Sequence, residues 1–173
     1  EISEIGANVI RQEPSAVWAE ADLSTAYKLC LWSRLASRVY KPLFKIDTNT
    51  PDDLYQAAVD YPWQEVFSLD KTFAVRAVAI KGVVCHTQYM ALKLKDAVVD
   101  AFRQQTGQRP SVDTQAGDIS LHVLVKPDSI TVSLDMSGDS LHRRGYRRMI
   151  GEAPLKETLA AAILRQAGWP NDR

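Results

Sequence analysis

Residues 119–137, ISLHVLVKPDSITVSLDMS, hold two alternating runs on either side of Lys126-Pro127-Asp128-Ser129. Ile119, Leu121, Val123 and Val125 fall on one side of the first run, and Ile130, Val132, Leu134 and Met136 on one side of the second. A period of two broken by a turn predicts an antiparallel hairpin with one apolar face. Upstream, KTFAVRAVAI (71–80) predicts another strand, in which Phe73, Val75 and Ala77 alternate against Thr72 and Arg76. Between them a long helix is expected from about His86 to Gln105. Its buried stripe is Met90, Leu94, Ala97 or Val98, and Ala101 or Phe102, and Gly107 ends it. Thr50, Pro51, Asp52 and Asp53 have the chemistry of a helix start: an N-cap, a proline at the first position and acids at the positive end.

Outward to the N-terminus, EISEIGA reads as the tail of a helix ending at Gly6, and NVIRQ and AVWAEA flank Pro14-Ser15 as a short hairpin. Asp22 is placed to cap a helix through LSTAYKLCLWSRLA (23–36), with Tyr27, Leu31 and Leu35 in one row. SRVYKPLFKI (37–46) predicts a strand whose Pro42 calls for an edge or a bulge. One strand ahead of Glu1 would complete a β-α-β-β-α-β ferredoxin-like unit. A boundary is expected near residue 48. At the other end, EAPLKETLAAAILRQAGWPN predicts a helix starting at Pro154, with Leu155, Leu159 and Ile163 in a stripe and Gly168 and Pro170 as the stop. Both ends read as cut, so a longer parent protein is expected.

The 173 residues carry 21 Lys+Arg and 21 Asp+Glu, a zero balance. No run approaches the roughly 18 apolar residues of a membrane span, and no secretory signal pattern opens the chain. Cys30 and Cys85 offer no disulfide framework, which fits a reducing cytoplasm. His86, His122 and His142 have no metal-ligand spacing with one another or with the cysteines, so no metal is expected. His122 lies opposite in parity to the apolar face, which fits a half-buried or solvated residue better than a ligand. Adjacent Cys85 and His86 seldom aim at one point, and a structural thiol explains Cys85 more simply than a nucleophile does. Asp52 and Asp53 are explained by capping. No glycine-rich cofactor loop, phosphate loop or nucleophile elbow is present.

The neutral balance hides a segregated one. SLHRRGYRRM (140–149) crowds Arg143, Arg144, Arg147 and Arg148 around Gly145 and Tyr146. As extended chain it places cations on both sides, so it belongs to an edge or a loop. Guanidinium forks match phosphates, and Tyr146 offers a ring for a base. Residues 28–45 hold Lys28, Arg34, Arg38, Lys41 and Lys45 and no acid, while Lys93, Lys95, Arg103 and Arg109 form a third group diluted by Asp96 and Asp100. The acids gather at 1–22 and 47–70. This is the pattern of a one-faced anion-binding surface; surface ion pairing and solubility are the plain alternative.

DLSTAYKLCLWSRLASRV, DDLYQAAVDYPWQEVF, ALKLKDAVVDAFRQQTGQRPSVD, VSLDMSGDSLHRRGYR and APLKETLAAAILRQAGW follow one another from about residue 22 to 169. Together they resemble the N-terminal part of bacterial THUMP-domain methyltransferases, above all those that modify guanine N2 in 23S ribosomal RNA. The resemblance implies an α+β chain. An incomplete ferredoxin-like unit (1–47, first strand missing) precedes a THUMP α/β domain (48–150), and a linker helix (151–173) leads into a methyltransferase domain outside the chain. That domain would use S-adenosylmethionine; the chain itself is expected to hold no cofactor and no catalytic residue. The implied partners are a 23S rRNA hairpin and the protein's own methyltransferase domain, without membrane or metal. The implied RNA-binding residues are Arg143, Arg144, Tyr146 and Arg147, with Lys93, Lys95 and Arg109 as weaker members. The alternative is an interaction module whose basic loop and terminal helix dock on the catalytic domain or a second subunit. Salt separates the two, because phosphate contacts weaken steeply with salt and an apolar helix contact does not.

Overall fold

The computed structural model describes residues 1–145 and 154–169. The chain divides into two compact units: Tyr40–Asp135, and Glu1–Val39 together with the chain from Met136 onward.

In the first of these, β3 (Tyr40–Ile46), β4 (Phe73–Ala79), β5 (Ile119–Val125) and β6 (Ile130–Asp135) form one sheet in the order β3-β6-β5-β4. β5 and β6 are the antiparallel hairpin expected from the alternation, with Val123 opposite Val132 and Leu121 opposite Leu134. β4 runs parallel to β5, with α4 (Thr87–Thr106) as the crossover. Parallel neighbours require such a connection. α3 (Pro51–Val59) packs beside α4. Thr50 caps α3 by accepting from the Asp53 amide at 3.3 Å, and the Thr50 and Thr48 hydroxyls donate to the Asp53 carboxylate at 2.6 and 2.8 Å.

All six residues named for the α4 stripe (Met90, Leu94, Ala97, Val98, Ala101 and Phe102) are buried, against Leu121, Val123, Val125, Ile130 and Val132 of the sheet. His86 caps α4, its Nδ1 accepting from the Tyr89 amide at 3.1 Å, and Gly107 closes it at a φ of 72°. Trp63 sits in a 3₁₀ turn at 1% exposure, its Nε1 donating to the Ala58 carbonyl at 2.6 Å. β3 is an edge strand with a register break between Pro42 and Phe44, the irregularity that the proline requires. Its ladder partner is β6, so it completes this sheet and adds no strand to the N-terminal hairpin.

The turn before β5 is fixed by two carboxylates. Asp113 accepts from the Ala116 and Gln115 amides at 3.0 and 2.9 Å, and Asp118 accepts from the Thr72 amide and hydroxyl, both at 3.0 Å. These backbone donors hold both acids below the ordinary Asp range. Their stabilisation is therefore complete above that range and is lost as pH falls through the lowered values. Thermal melts from pH 6 to pH 3 should show a falling midpoint, and Asp118→Asn should shrink that acid loss. An unchanged acid loss in the variant would remove Asp118 from the account. Gly117 leaves no room for a side chain. A Cβ there would lie 2.8 Å from the Asp113 carbonyl oxygen and 2.9 Å from both the Ala74 nitrogen and the Phe73 carbonyl carbon, all backbone atoms.

The second unit is thinly cored. α1 (Ile2–Ile5) ends at Gly6 with a φ of 107°, β1 (Asn8–Glu13) and β2 (Ala16–Glu20) form the short hairpin, and α2 (Leu23–Trp32) follows. Asp22 caps α2 by accepting from the Thr25 amide at 2.7 Å. α2 stops at Trp32, four residues short of the helix expected through Ala36. The reason is a long-range contact: the Glu1 carboxylate accepts from the Ser33 hydroxyl, the Arg34 amide and the Leu35 amide, pulling the chain out of the helix. α5 (Glu157–Gln166) starts after the expected Pro154, and its Arg165 pairs with Glu4. No helix among the described residues is long and apolar enough to cross a membrane.

Candidate nucleic-acid interface

Segment 136–145 lies along segment 30–39 and is laced to it. The Met136 amide donates to the Val39 carbonyl at 2.9 Å, the Val39 amide to the Ser137 hydroxyl at 2.6 Å, and the Leu141 amide to the Ser37 carbonyl at 2.9 Å. The Arg38 guanidinium donates to the Gly138 carbonyl at 3.0 Å. Leu141 is buried beneath the loop. Two segments far apart in sequence, one with Arg34 and Arg38 and the other with Arg143 and Arg144, are thus tied together.

Arg144 makes the firmest of these links. Its Nη1 donates to the Leu31 carbonyl at 3.0 Å, and its Nη2 to the Cys30 and Ser33 carbonyls at 3.0 and 2.9 Å. The last carbonyls of a helix have no partner within the helix and carry its negative end. One guanidinium fork satisfies three of them. Arg144 therefore fastens the arginine loop to the end of α2, and its neighbour Arg143 stays exposed. His142 is held by the Ser140 hydroxyl, at 2.7 Å from Nδ1. Tyr146 and Arg147, with Arg148, lie outside the described residues.

At this joint α2 and the residues just after it expose cations and large apolar side chains. Lys28 and Arg34 are exposed, and so are Tyr27 (59%), Leu31 (66%) and Trp32 (67%). Trp32 was not among the residues expected from the sequence. A helix ending at Ala36 would have left no reason to pick it out; the early stop at Ser33 puts it on the rim. The Glu1 carboxylate is engaged by its three hydrogen bonds at the α2 end.

The weaker residues lie in the Tyr40–Asp135 unit. Lys93 pairs with Asp52 at 2.7 Å and sits over the Tyr55 and Tyr89 rings at 5.7 and 5.6 Å. The Asp52 carboxylate raises its pKa. Lys95 pairs with Asp96 at 2.6 Å, and Arg103 with Asp100 at 3.1 Å. Arg109 is exposed and lines an open cleft of about 580 Å³ with Lys95, Arg103, Asp96 and Asp100. The cleft is charge-mixed and polar. Lys93 and Lys95 are thus already committed to acids, and Arg109 has more freedom to meet an outside anion. Among the described residues no group of three His, Cys, Asp or Glu side chains could hold a metal ion.

A THUMP domain model matches residues 48–135, and an RlmL ferredoxin-like domain model matches residues 1–40. The ribosomal RNA large subunit methyltransferase K/L of Syntrophotalea carbinolica is 47% identical over 171 residues, covering 99% of this chain and 24% of that protein. The chain spans about a quarter of the length of the curated relatives it matches. Among solved structures, one from Listeria monocytogenes described as a predicted N6-adenine-specific DNA methylase covers the whole chain and 45% of its own, at 30% identity and a TM-score of 0.84. SMU.472, a candidate methyltransferase complexed with SAH, matches with the same TM-score at 25% identity, over 100% of this chain and 46% of its own. With a THUMP match over residues 48–135 and an RlmL-type match ahead of it, the chain belongs to the THUMP-domain family and carries a ferredoxin-like domain before the THUMP domain.

Proposed function

We propose that the chain is an RNA-binding module that positions a structured 23S rRNA hairpin for an S-adenosylmethionine-dependent guanine-N2 methyltransferase domain of the same protein, in the cytoplasm. The observation that carries this reading is the lacing of residues 30–39 to residues 136–145, two segments that leave Arg34 and Arg143 exposed. Its mechanism is phosphate neutralisation and recognition of RNA shape, with little reading of base edges. Arg143 and Arg34 contact phosphates, Arg144 holds the 136–145 segment on the end of α2, and Tyr146 and Arg147 are assigned to RNA from their sequence alone. Arg109 serves as an outlying contact, and Lys93 and Lys95 contribute less because Asp52 and Asp96 compete for them. The names of the relatives, rRNA methyltransferases, support the substrate class.

The test is fluorescence anisotropy of a labelled 23S rRNA hairpin titrated with the chain across a salt series. The double variant Arg34→Gln, Arg143→Gln should weaken binding and flatten the slope of log affinity against log salt by about 1.4–1.8, about 0.7–0.9 per lost contact. An unchanged slope would remove these two residues from the interface.

A second reading has its own observation. Leu155, Leu159, Ile163 and Leu164 of the terminal segment are about half exposed, as is Trp169 at 58%. Such a stripe suits docking on a catalytic domain. In that case affinity for RNA is weak, domain association is nearly insensitive to salt, and Leu159→Asp changes domain association and leaves RNA binding alone.

A further inference from the structure

The four-stranded sheet ends in two unlike edges. β3 carries Pro42 and a register break, which blunt it as a pairing site. β4 is a regular strand of seven residues with neither. Its backbone groups alternate in direction. The Thr72 carbonyl accepts from the Ile119 amide at 3.0 Å and the Ile80 amide donates to the Val125 carbonyl at 3.1 Å, so Ala74, Arg76 and Val78, of the same parity, turn toward β5. Phe73 turns the other way: its amide donates to the Ser111 carbonyl and its carbonyl accepts from the Asp113 amide, both at 3.0 Å. Val75, Ala77 and Ala79 share the direction of Phe73, and among the described residues their outward amides and carbonyls meet no partner. Segment 111–113 thus covers the outer edge at Phe73 and leaves the rest of it unpaired. Arg76 and Val78 (44%) beside that stretch are exposed.

α4 walls this edge. It packs on β4, and Lys95, Asp96 and Val99 line the cleft between it and residues 109–112, so this side of the helix overlooks the outer edge. Leu92, one turn earlier in the same row, is exposed at 46%. The wall decides what can bind. Two β4 strands paired edge to edge would bring their α4 helices within about one strand spacing, about 4.8 Å. Packed helices need about 8–10 Å. A second copy therefore does not fit, and a lone extended strand does. Charge decides its chemistry: residues 71–81 hold Lys71, Arg76 and Lys81 and no acid.

We propose that the outer edge of β4 is a docking site for an extended acidic peptide segment of a partner protein, apolar at every second residue. The segment adds to the sheet as a further strand. Its backbone pairs with the outward groups of Val75, Ala77 and Ala79, and Val112 marks where it must end. Its apolar side chains lie under Leu92 and Val99 of α4, and its acids face Arg76 on the other side of the sheet. Backbone pairing supplies affinity, and the alternating side chains supply selectivity. The site uses no residue of the arginine loop and does not depend on the RNA-binding reading.

The experiment titrates the chain into a short fluorescein-labelled peptide that alternates valine with glutamate, read by anisotropy. Wild type should bind it about tenfold tighter than the same peptide with lysine in place of glutamate. Arg76 is exposed, so Arg76→Glu keeps the fold and should reverse that preference, which a change in stability alone would not do. Hydrogen exchange with saturating peptide should slow the amides of Val75, Ala77 and Ala79. Those of Ala74, Arg76 and Val78, already turned to β5, should not change. No binding of the acidic peptide, an unreversed preference in the variant, or binding without that alternation overturns the docking site. Protection of the same amides on raising the protein concentration alone, with dimers seen by sedimentation, assigns the edge to a second copy and overturns it as well.

Discussion

Phe102→Ala is expected to lower the stability of the Tyr40–Asp135 unit by about 3–5 kcal/mol. Phe102 is 1% exposed on the inner side of α4, and its ring lies 5.0 Å from that of Phe67, which in turn lies 5.7 Å from Phe73. Removing the ring opens a cavity between the crossover helix and the start of β4. The rest of α4 is held by five further buried residues, so the helix cannot slide in to fill the space. Phe102→Leu keeps most of the volume and should cost about 1.5 kcal/mol or less. Urea titrations followed by far-UV circular dichroism measure both. A cost below about 1 kcal/mol for alanine would mean that the site collapses and that the aromatic row is not packed as described.

Arg144→Ala is the second large effect, expected at about 2–3 kcal/mol and confined to the other unit. Three carbonyls at the end of α2 lose their donor at once, and the helix loses the cation at its negative end. Lysine should restore less than half, because an ammonium cannot present the planar fork that reaches Cys30, Leu31 and Ser33 together. Hydrogen exchange locates the change: amides of residues 27–33 should lose protection while those of α4 keep theirs. The RNA measurement separates anchoring from direct contact. Anchoring predicts weaker binding with a nearly unchanged salt slope, and phosphate contact predicts a slope flatter by about 0.7–0.9. Retained protection at the α2 end would end the capping account.

Much of the THUMP core was legible because its signals are periodic and local. The 3.6-residue stripe of α4, the alternation of β5 and β6 and the Thr50-Pro51 start each decide their own element. β3 was legible as an edge strand from Pro42 alone, but its partner was not: pairing with β6 is a long-range choice that no local pattern encodes. The site divides in the same way. Arg143 and Arg144 stood out as a cluster, yet their different roles did not. What assigns Arg144 to the helix end is the early stop of α2, which depends on Glu1, a residue more than thirty positions upstream of the stop. Lys93 and Lys95 looked like part of a basic patch because their partners Asp52 and Asp96 were read as capping and dilution. The parity of His122 was legible, but its pairing with Tyr40 was not, since a ring pair across an intervening strand exists only once the sheet order is set.

The β3–β6 ladder also sets a timetable for synthesis. Residue 46 must wait for residue 130, and residue 40 for residue 135, before either has its hydrogen-bonding partner. At ordinary translation speeds that interval is on the order of ten seconds. Throughout it β3 is a nascent strand with two open edges, the state in which chains adhere to one another. The residues that give β3 its weak strand character, Lys41, Pro42 and Lys45, are also those that resist such pairing. The edge proline and its flanking lysines thus protect the chain as it emerges, well before they take their places in the finished sheet.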